Sequence, residues 1–329
     1  MNLKKKKVLI TGAGGFIGSH LTEYLIDLGA DVKAFVRYNS RNDRGMLESL
    51  PQEKIDLIEV ITGDLRDSDA IRYAASDVSV IFHLGSLIAI PYSYIHPRET
   101  IETNVMGTLS VLTAAKDLSI DKVVHTSTSE VYGTAKYVPI DENHQLQGQS
   151  PYSASKIGAD KIAESFYKSY ELPVSVIRPF NTYGPRQSAR AVIPTIITQA
   201  LKTDKISLGS LHPTRDYTHV QDTVKGFLKV AESSRSIGEV INIGSNFEIS
   251  IKNLAEKIFH IMGKEVQIVT DSPRFRPKDS EVERLWCDNT KAKDILGWKP
   301  EISLDNGLKD VLNWISENID FYKANIYNK

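Results

Sequence analysis

The chain has 329 residues, 41% of them apolar, which suffices for one large domain or two closely joined ones with a sizeable core. Its 40 Lys and Arg nearly balance 41 Asp and Glu, so the charge indicates no nucleic-acid partner. A single cysteine excludes an intrachain disulfide and a cysteine metal cage. Without a secretory signal or an apolar run of about 18–20 residues, we expect a cytoplasmic protein with no membrane partner.

The first half of the chain alternates short apolar runs with helical patterns. The runs predicted as strands are Lys7–Thr11, Asp31–Val36, Ile55–Val60, Val78–His83, Lys122–Thr126 and Pro173–Arg178. Helical spacing follows the first strand up to Gly29 and recurs over Asn104–Leu118 and Tyr152–Tyr170. This alternation predicts βαβ units and therefore an α/β fold, a Rossmann-type doubly wound parallel sheet with helices on both faces.

The pattern changes after Arg178, where prolines punctuate shorter segments. We therefore expect an NAD(P)-binding domain over residues 1–180 and a smaller C-terminal α/β lobe for the substrate over residues 181–329. Residues 215–245 are expected to return to the first domain, because Val240–Gly244 is a late apolar strand that can rejoin its sheet. Ser272–Pro277 forms a loop rich in Pro and Arg within the second lobe.

A glycine triplet at positions 12, 15 and 18 lies between the first strand and the first helix. Glycine is needed where the backbone turns sharply and where a pyrophosphate approaches the main chain, beside the free N–H groups of a helix N-terminus. The strand before and the helix after give the motif its required context. The predicted cofactor contacts here are Gly12, Gly15, Phe16, Ile17 and Gly18.

The end of the second strand bears on the choice between NAD and NADP. A carboxylate at this place holds the ribose 2′-hydroxyl of NAD, but the chain has Val36 and Arg37. Arg37 and Ser40 are suited to a 2′-phosphate instead, which favours NADP. NAD is the alternative, and in that case Arg37 is an ordinary surface cation. Asp64 and Leu65 follow the third strand, where we expect the adenine.

Four side chains form the candidate reaction centre. Tyr152 and Lys156 lie four residues apart on one predicted helix, so they share a face, and the ammonium is expected to lower the pKa of the tyrosine toward neutrality. Tyr152 would then accept a proton from a sugar hydroxyl that Thr128 orients. Glu130 follows the fifth strand, at the sheet edge where open α/β folds bind ligands, and indicates a second proton transfer.

These motifs resemble the extended short-chain dehydrogenase/reductase family of nucleotide-sugar enzymes. The resemblance spans nearly the whole chain and rests on Thr11–Gly18, Gly63–Asp64, His83–Ser86, Asn104–Thr108, Thr128–Gly133, Tyr152–Lys156, Arg178–Pro185 and Arg215–Asp222. It implies that Leu84 and Ser86 also contact the cofactor, and that Lys156 holds its nicotinamide ribose. The family includes several reactions, so membership alone does not fix the activity.

The triplet Thr128-Ser129-Glu130 narrows the reaction. The sugar 4-epimerases of the family lack the acid, and dTDP-glucose 4,6-dehydratases carry Thr-Asp-Glu, so Ser129 departs from their pattern. GDP-mannose 4,6-dehydratases carry Thr-Ser-Glu and resemble the chain at Val36-Arg37 too, while UDP-glucuronate decarboxylases also carry Ser-Glu. The runs Gln147–Lys156 and Pro185–Pro194 look most like bacterial UDP-N-acetylglucosamine 4,6-dehydratases.

That resemblance implies a 4,6-dehydratase with a tightly bound, recycled cofactor. Tyr152 would deprotonate the C4 hydroxyl, Glu130 would remove the C5 proton, and Glu130 or Ser129 would relay a proton to the departing 6-hydroxyl. The alternatives are a UDP-glucuronate decarboxylase, a UDP-sugar 4-epimerase and, in a different class, a non-catalytic NADP-binding scaffold.

The expected substrate is a nucleotide-diphosphate sugar. Arginine forks and an amide suit a diphosphate, and the candidates are Arg215, Arg276 and Asn181. Leu87 and Pro91 are expected to line the sugar pocket. By resemblance, the helices Asn104–Leu118 and Tyr152–Tyr170 form a four-helix bundle in a homodimer, although their apolar stripes are also compatible with ordinary core.

Overall fold

The computed structural model describes residues 1–271 and 274–322. Ser272 and Pro273 of the predicted Pro- and Arg-rich loop lie outside the described residues. The strands are β1 (Lys7–Thr11), β2 (Asp31–Arg37), β3 (Ile58–Gly63), β4 (Val80–His83), β5 (Lys122–Thr126), β6 (Val174–Pro179), β7 (Asn181–Tyr183), β8 (Lys205–Leu208), β9 (Thr214–His219), β10 (Val240–Ile243), β11 (Glu248–Ser250) and β12 (Gln267–Thr270).

The helices are α1 (Phe16–Asp27), α2 (Gln52–Ile55), α3 (Ser68–Ala74), α4 (Ile90–Ile95), α5 (Pro97–Ile101), α6 (Gly107–Asp117), α7 (Pro151–Tyr170), α8 (Val192–Lys202), α9 (Val220–Glu232), α10 (Ile251–Met262), α11 (Thr290–Leu296) and α12 (Leu304–Glu317). A π-helical segment, Glu102–Met106, joins α5 to α6. In the described part of the chain, no helix has the length and apolarity to cross a bilayer.

Seven strands form a wholly parallel sheet in the order β10–β6–β5–β4–β1–β2–β3. This order confirms the predicted Rossmann-type fold. The third strand begins at Ile58 instead of Ile55, because Pro51 opens a short helix in which the amides of Lys54 and Ile55 both donate to its carbonyl. Proline favours such a helix start, since its fixed φ suits the first turn.

Alternation along β1 explains why the sheet is covered on both faces. Val8 and Ile10 belong to one buried cluster, which includes Leu21 of α1 and Phe227 of α9. Leu9 faces the opposite way, into a second cluster with residues of α3, α6 and α7. Because successive side chains of a strand point to opposite faces, a continuous apolar run is what a doubly covered strand requires.

The C-terminal part adds two small sheets, β11–β9–β7 and β12–β8. Apolar residues of α8, α10 and α12 pack together in a third buried cluster beside them. The late strand β10 pairs in parallel with β6, so this part of the chain returns to the main sheet. The predicted domain boundary at residue 180 stays a prediction.

Asp216 on β9 ties the end of β10 to the segment around Cys287. Its carboxylate accepts hydrogen bonds from the amide and hydroxyl of Ser245, both at 2.7 Å, and from the Cys287 amide at 3.2 Å. Burial outweighs these bonds and raises the pKa of Asp216 to about 6. A carboxyl with a raised folded-state pKa stabilises the fold below its unfolded pKa of about 4, and this contribution is lost as the pH rises through 6.

We therefore expect the stability difference between the wild type and Asp216→Asn to depend on pH. Between pH 4 and pH 7 the wild type should lose about 2–3 kcal/mol relative to the variant, since each pKa unit corresponds to about 1.4 kcal/mol. Urea unfolding of both proteins at several pH values measures this difference. A difference that stays constant with pH would contradict the assignment.

Candidate active site

The glycine triplet forms a tight turn between β1 and α1. Gly12 has φ +72°, a conformation that favours glycine, and a Cβ at Gly18 would lie 2.2 Å from the Gly12 carbonyl oxygen. Gly15 is the N-cap of α1, and no acidic residue lies in the first turn, which Phe16, Ile17 and Gly18 open. This main-chain cradle at a helix N-terminus fits the pyrophosphate of a dinucleotide.

Leu65, Leu84 and Ser86 lie around the same edge of the sheet. A Cβ on Gly85 would come within 2.8 Å of the Leu65 side chain, so the segments after β3 and β4 approach each other closely. Leu84 and Ser86 are half-buried, and the Leu84 amide donates to the Thr11 carbonyl. The predicted cofactor residues in the segments that follow β3 and β4 are therefore neighbours in space.

Asp64 at the end of β3 is engaged by a near neighbour. Its carboxylate receives two side-chain hydrogen bonds from Arg66, at 2.9 and 2.6 Å. These bonds lower the pKa of Asp64 to about 2, so the group is a fixed anion at neutral pH. The Asp64 carboxylate can accept hydrogen bonds from an adenosine but cannot donate any.

Arg37 and Ser40 both lie exposed beyond the end of β2. The Arg37 guanidinium lies 3.5 Å from a carboxylate oxygen of Glu99, and Glu99 also accepts a hydrogen bond from the Tyr92 hydroxyl. Sequence reasoning missed Glu99, because α5 is remote from β2 in sequence. A 2′-phosphate bound at Arg37 would compete with the Glu99 carboxylate for the guanidinium group.

The catalytic candidates Thr128, Ser129 and Glu130 form the turn after β5. Thr128 is the N-cap of the 3₁₀ turn Ser129–Tyr132, and its hydroxyl accepts the Glu130 amide at 3.3 Å. Ser129 is 3% exposed, whereas the Glu130 side chain is 12% exposed. Glu130 is therefore the more accessible of the two residues, although its side chain is also largely enclosed.

Tyr152 and Lys156 occupy the first two turns of α7. The helix starts here because Ser150 and Ser153 form a reciprocal capping box and Pro151 occupies the first position. The Thr128 side chain lies close enough to Tyr152 to lower the pKa of the tyrosine, and the Lys156 ammonium donates to the Thr126 carbonyl at 2.6 Å. The turn after β5 and the start of α7 therefore come together in one candidate site.

The predicted direction of the Tyr152 pKa is wrong for this structure. Burial raises the pKa of Tyr152, and the neighbouring Thr128 side chain offsets only part of that rise. Burial also lowers the pKa of Lys156 to about 8. Desolvation disfavours the charged form of each group, and sequence spacing gives no measure of it.

The three predicted diphosphate residues lie on separate segments. Arg215 on β9 and Arg276 in the loop before residue 278 both approach Glu281, at 3.5 and 3.7 Å. Arg276 also lies 3.8 Å from the Glu130 carboxylate. Asn181 on β7 has a buried amide oxygen without a hydrogen-bond partner, which suits a ligand donor.

Leu87 is held in place by Asn104. The Asn104 amide accepts from the Leu87 N–H at 2.7 Å and donates both to the Leu87 carbonyl and to the Ser155 hydroxyl. Pro91 is half-buried at the start of α4, further along the same segment. Asn104 lay inside a predicted helix, and its position in the π-helical segment, where one residue is added per turn, was not predicted.

Beneath the site, Asp160 is the centre of a buried polar network. It accepts hydrogen bonds from Ser127 at 2.6 Å and from Arg178 at 2.9 Å, and contacts His125 at 3.1 Å. Although burial opposes ionisation, His125 and Arg178 together lower the pKa of Asp160 to about 2. The network ties α7 to β5 and β6, and so fixes the helix with Tyr152 and Lys156 against the turn with Thr128 and Glu130.

Asp160→Ala is expected to destabilise the protein by about 3–5 kcal/mol, because it leaves the Arg178 charge buried without its carboxylate. Urea unfolding measures the loss. The matched control is Glu164→Ala, one turn further along α7. Its half-buried carboxylate pairs with Lys161 and Lys168 and should contribute less than about 1 kcal/mol. Equal losses in both variants would contradict a special role for Asp160.

Comparison with known proteins agrees with this geometry. The family model described as GDP-mannose 4,6 dehydratase matches residues 9–311. A putative UDP-glucose 4-epimerase of Methanocaldococcus jannaschii is 33% identical over 94% of this chain and 99% of its own.

Two solved structures extend the comparison. The dTDP-glucose 4,6-dehydratase of Bacillus anthracis, in complex with NAD, is 30% identical with a TM-score of 0.84, covering 97% of this chain and 99% of its own. A mutant UDP-glucuronic acid 4-epimerase of Bacillus cereus, with a fluorinated substrate analogue and NAD, is 28% identical with a TM-score of 0.87, covering 95% and 99%. With its Rossmann sheet and its Tyr-Lys site, the chain belongs to the GDP-mannose 4,6 dehydratase family, among the NAD-dependent nucleotide-sugar dehydratases and epimerases of the extended short-chain dehydrogenase/reductases.

Proposed function

We propose that the protein is a nucleotide-sugar 4,6-dehydratase that converts UDP-N-acetylglucosamine to UDP-4-keto-6-deoxy-N-acetylhexosamine. The observation that carries the proposal is the Glu130 carboxylate, placed on the turn that Thr128 caps, with the Thr128 side chain next to Tyr152. A 4-epimerase needs no second base, whereas a dehydratase must remove the C5 proton. The choice of UDP-N-acetylglucosamine is supported by the resemblance of the runs Gln147–Lys156 and Pro185–Pro194.

The cofactor would be held by the main chain at Gly12 and Gly15, and by Lys156 at the nicotinamide ribose. When bound, a nicotinamide dinucleotide takes up a hydride from C4 and returns one to C6. The cradle fits this group because α1 begins at glycine and carries no acid in its first turn. Since the same hydride leaves and returns, the cofactor is recycled in each turnover and should remain tightly bound.

The chain's own residues would handle the protons. Tyr152 accepts the proton of the C4 hydroxyl, which Thr128 orients, and Glu130 then accepts the C5 proton, which the 4-ketone has acidified. The 6-hydroxyl leaves as water with a proton that Glu130 or Ser129 relays. A proton returns to C5 as the hydride reaches C6, so the sugar loses one water and nothing else.

The test is incubation with UDP-N-acetylglucosamine in deuterium oxide, followed by NMR of the sugar. A 4-keto-6-deoxy product with deuterium at C5 is expected. A C4 epimer with no deuterium at C5 would identify an epimerase, the activity named for the relative in Methanocaldococcus jannaschii. Release of carbon dioxide from UDP-glucuronate, with no reaction of UDP-N-acetylglucosamine, would identify a decarboxylase. Inactivity on both substrates would favour a scaffold.

We also propose NADP as the cofactor, with the 2′-phosphate on Arg37 and Ser40. The Arg37 guanidinium is 69% exposed and lies at the strand end where NAD enzymes have an acid. Arg37→Ala should weaken NADP binding by about tenfold and leave NAD binding unchanged, as measured by fluorescence titration. Arg41→Ala, another exposed arginine of the same loop, is the control. Equal effects on both cofactors would mean that Arg37 does not recognise the 2′-phosphate, and the alternative cofactor, NAD, would be favoured.

The protein is further proposed to form a homodimer through a four-helix bundle. α7 packs against α5 and α6, and Ile101 and Met106 expose apolar side chains near it, at 47% and 48%. Light scattering should give the mass of a dimer for the wild type and of a monomer for a variant with glutamate at both positions. Leu201→Glu on α8 is the control, and an unchanged mass in the double variant would place the interface elsewhere.

A further inference from the structure

Glu281 lies between the two arginines of the substrate lobe. One of its carboxylate oxygens is 3.5 Å from Arg215 and 3.7 Å from Arg276. The side chains of Glu281 and Arg215 are only 13% and 7% exposed, so solvent screens their charges weakly. Without this carboxylate, two guanidinium groups would face each other in a poorly solvated site.

The position of Glu281 is fixed by its neighbours in the chain. The Ser280 hydroxyl donates to the Gln149 carbonyl at 2.6 Å and is hydrogen-bonded to the Tyr94 hydroxyl, also at 2.6 Å. The Glu281 carbonyl accepts from the Thr134 hydroxyl at 3.4 Å. The segment carrying Glu281 is thus anchored both to α4 and to the loop that precedes the catalytic helix.

Arg276 connects this carboxylate to the catalytic turn. It lies 3.7 Å from Glu281 and 3.8 Å from Glu130, so the two carboxylates share one guanidinium at nearly equal distance. A cation that paired with Glu130 alone would stabilise the charged carboxylate and make it a weaker proton acceptor. Because Arg276 is shared with Glu281, it stabilises the charged Glu130 carboxylate less than a cation paired with Glu130 alone would.

We propose that Glu281 is a positioning residue: it shares the Arg276 guanidinium with Glu130, so that this cation does not pair with Glu130 alone. Glu130 thereby remains an effective acceptor for the C5 proton. The inference rests on the proposed dehydratase function, and it assigns to Glu281 a role in proton abstraction without contact with the sugar.

The test compares Glu281→Gln with Glu283→Gln, which removes an exposed carboxylate paired with His212 two residues away. With UDP-N-acetylglucosamine in deuterium oxide, Glu281→Gln should slow deuterium incorporation at C5 by roughly tenfold, because Arg276 then pairs with Glu130. Its affinity for UDP, measured by calorimetry, should change by less than about threefold. The acid limb of the pH–rate profile should move to lower pH, since a weaker acceptor stays deprotonated further into acid.

Two results would overturn the proposal. One is a wild-type exchange rate and pH profile in Glu281→Gln. The other is a variant that loses UDP affinity and exchange rate by the same factor while the acid limb of its pH–rate profile stays where it is in the wild type. A purely structural role of Glu281 would give this result. If Glu281→Gln does not fold, Glu281→Asp replaces it: its acid limb should lie below that of the wild type, and a wild-type limb counts against the proposal. Absence of C5 exchange in the wild type would instead refute the dehydratase function itself.

Discussion

Glu130→Gln is expected to reduce water loss from the sugar and deuterium exchange at C5 by about 10²–10⁴-fold, the usual contribution of a positioned base. The amide is isosteric with the carboxylate but cannot accept the C5 proton. Oxidation at C4 depends on Tyr152 and Thr128, so it should continue, and absorbance of reduced cofactor should accumulate in a single turnover. Stopped-flow absorbance and NMR together measure the two steps.

Glu164→Gln, which removes a half-buried carboxylate on α7, is the control for this prediction. It should leave both steps unchanged. Should Glu130→Gln form the 4-keto-6-deoxy product at the wild-type rate, another group removes the C5 proton. If it loses cofactor reduction as well, Glu130 contributes to binding or to the first step instead.

Tyr152→Phe should suppress the first step, oxidation at C4, by about 10²–10⁴-fold. The change removes only the hydroxyl and keeps the buried ring, so α7 should retain its packing. Because burial raises the pKa of Tyr152, the deprotonated fraction in the wild type grows with pH, and the rate of cofactor reduction should rise from neutral toward alkaline pH. The phenylalanine variant should lose this pH dependence.

Tyr137→Phe removes an exposed hydroxyl that donates to Asp141, and it is the matched control. It should retain the wild-type rate and profile. A Tyr152→Phe protein that still reduces its cofactor at the wild-type rate would show that another base serves C4. A wild-type rate that falls between neutral and alkaline pH would contradict the direction of the tyrosine pKa.

The sequence determined the sheet and the position of the site within it. The runs Lys7–Thr11 and Lys122–Thr126 appear in the structure with the predicted bounds. The apolar residues at their centres, Val8–Ile10 and Val123–Val124, suit strands buried on both faces. Local spacing also sufficed for the glycine turn and for the Tyr152–Lys156 pair, since a turn or a helix fixes the relation of residues a few positions apart.

Only the tertiary structure decided which distant segments are in contact and how their surroundings shift the pKa values of the site residues. Glu281 and Glu130 are far apart in the chain, and Arg276 comes close to both only after the C-terminal part of the chain folds against the rest. Burial reversed the expected direction of the Tyr152 pKa, because desolvation depends on everything packed around a group. The sequence shows which residue types a segment contains. The distances between those residues and their dielectric surroundings, which govern their chemistry, arise from packing.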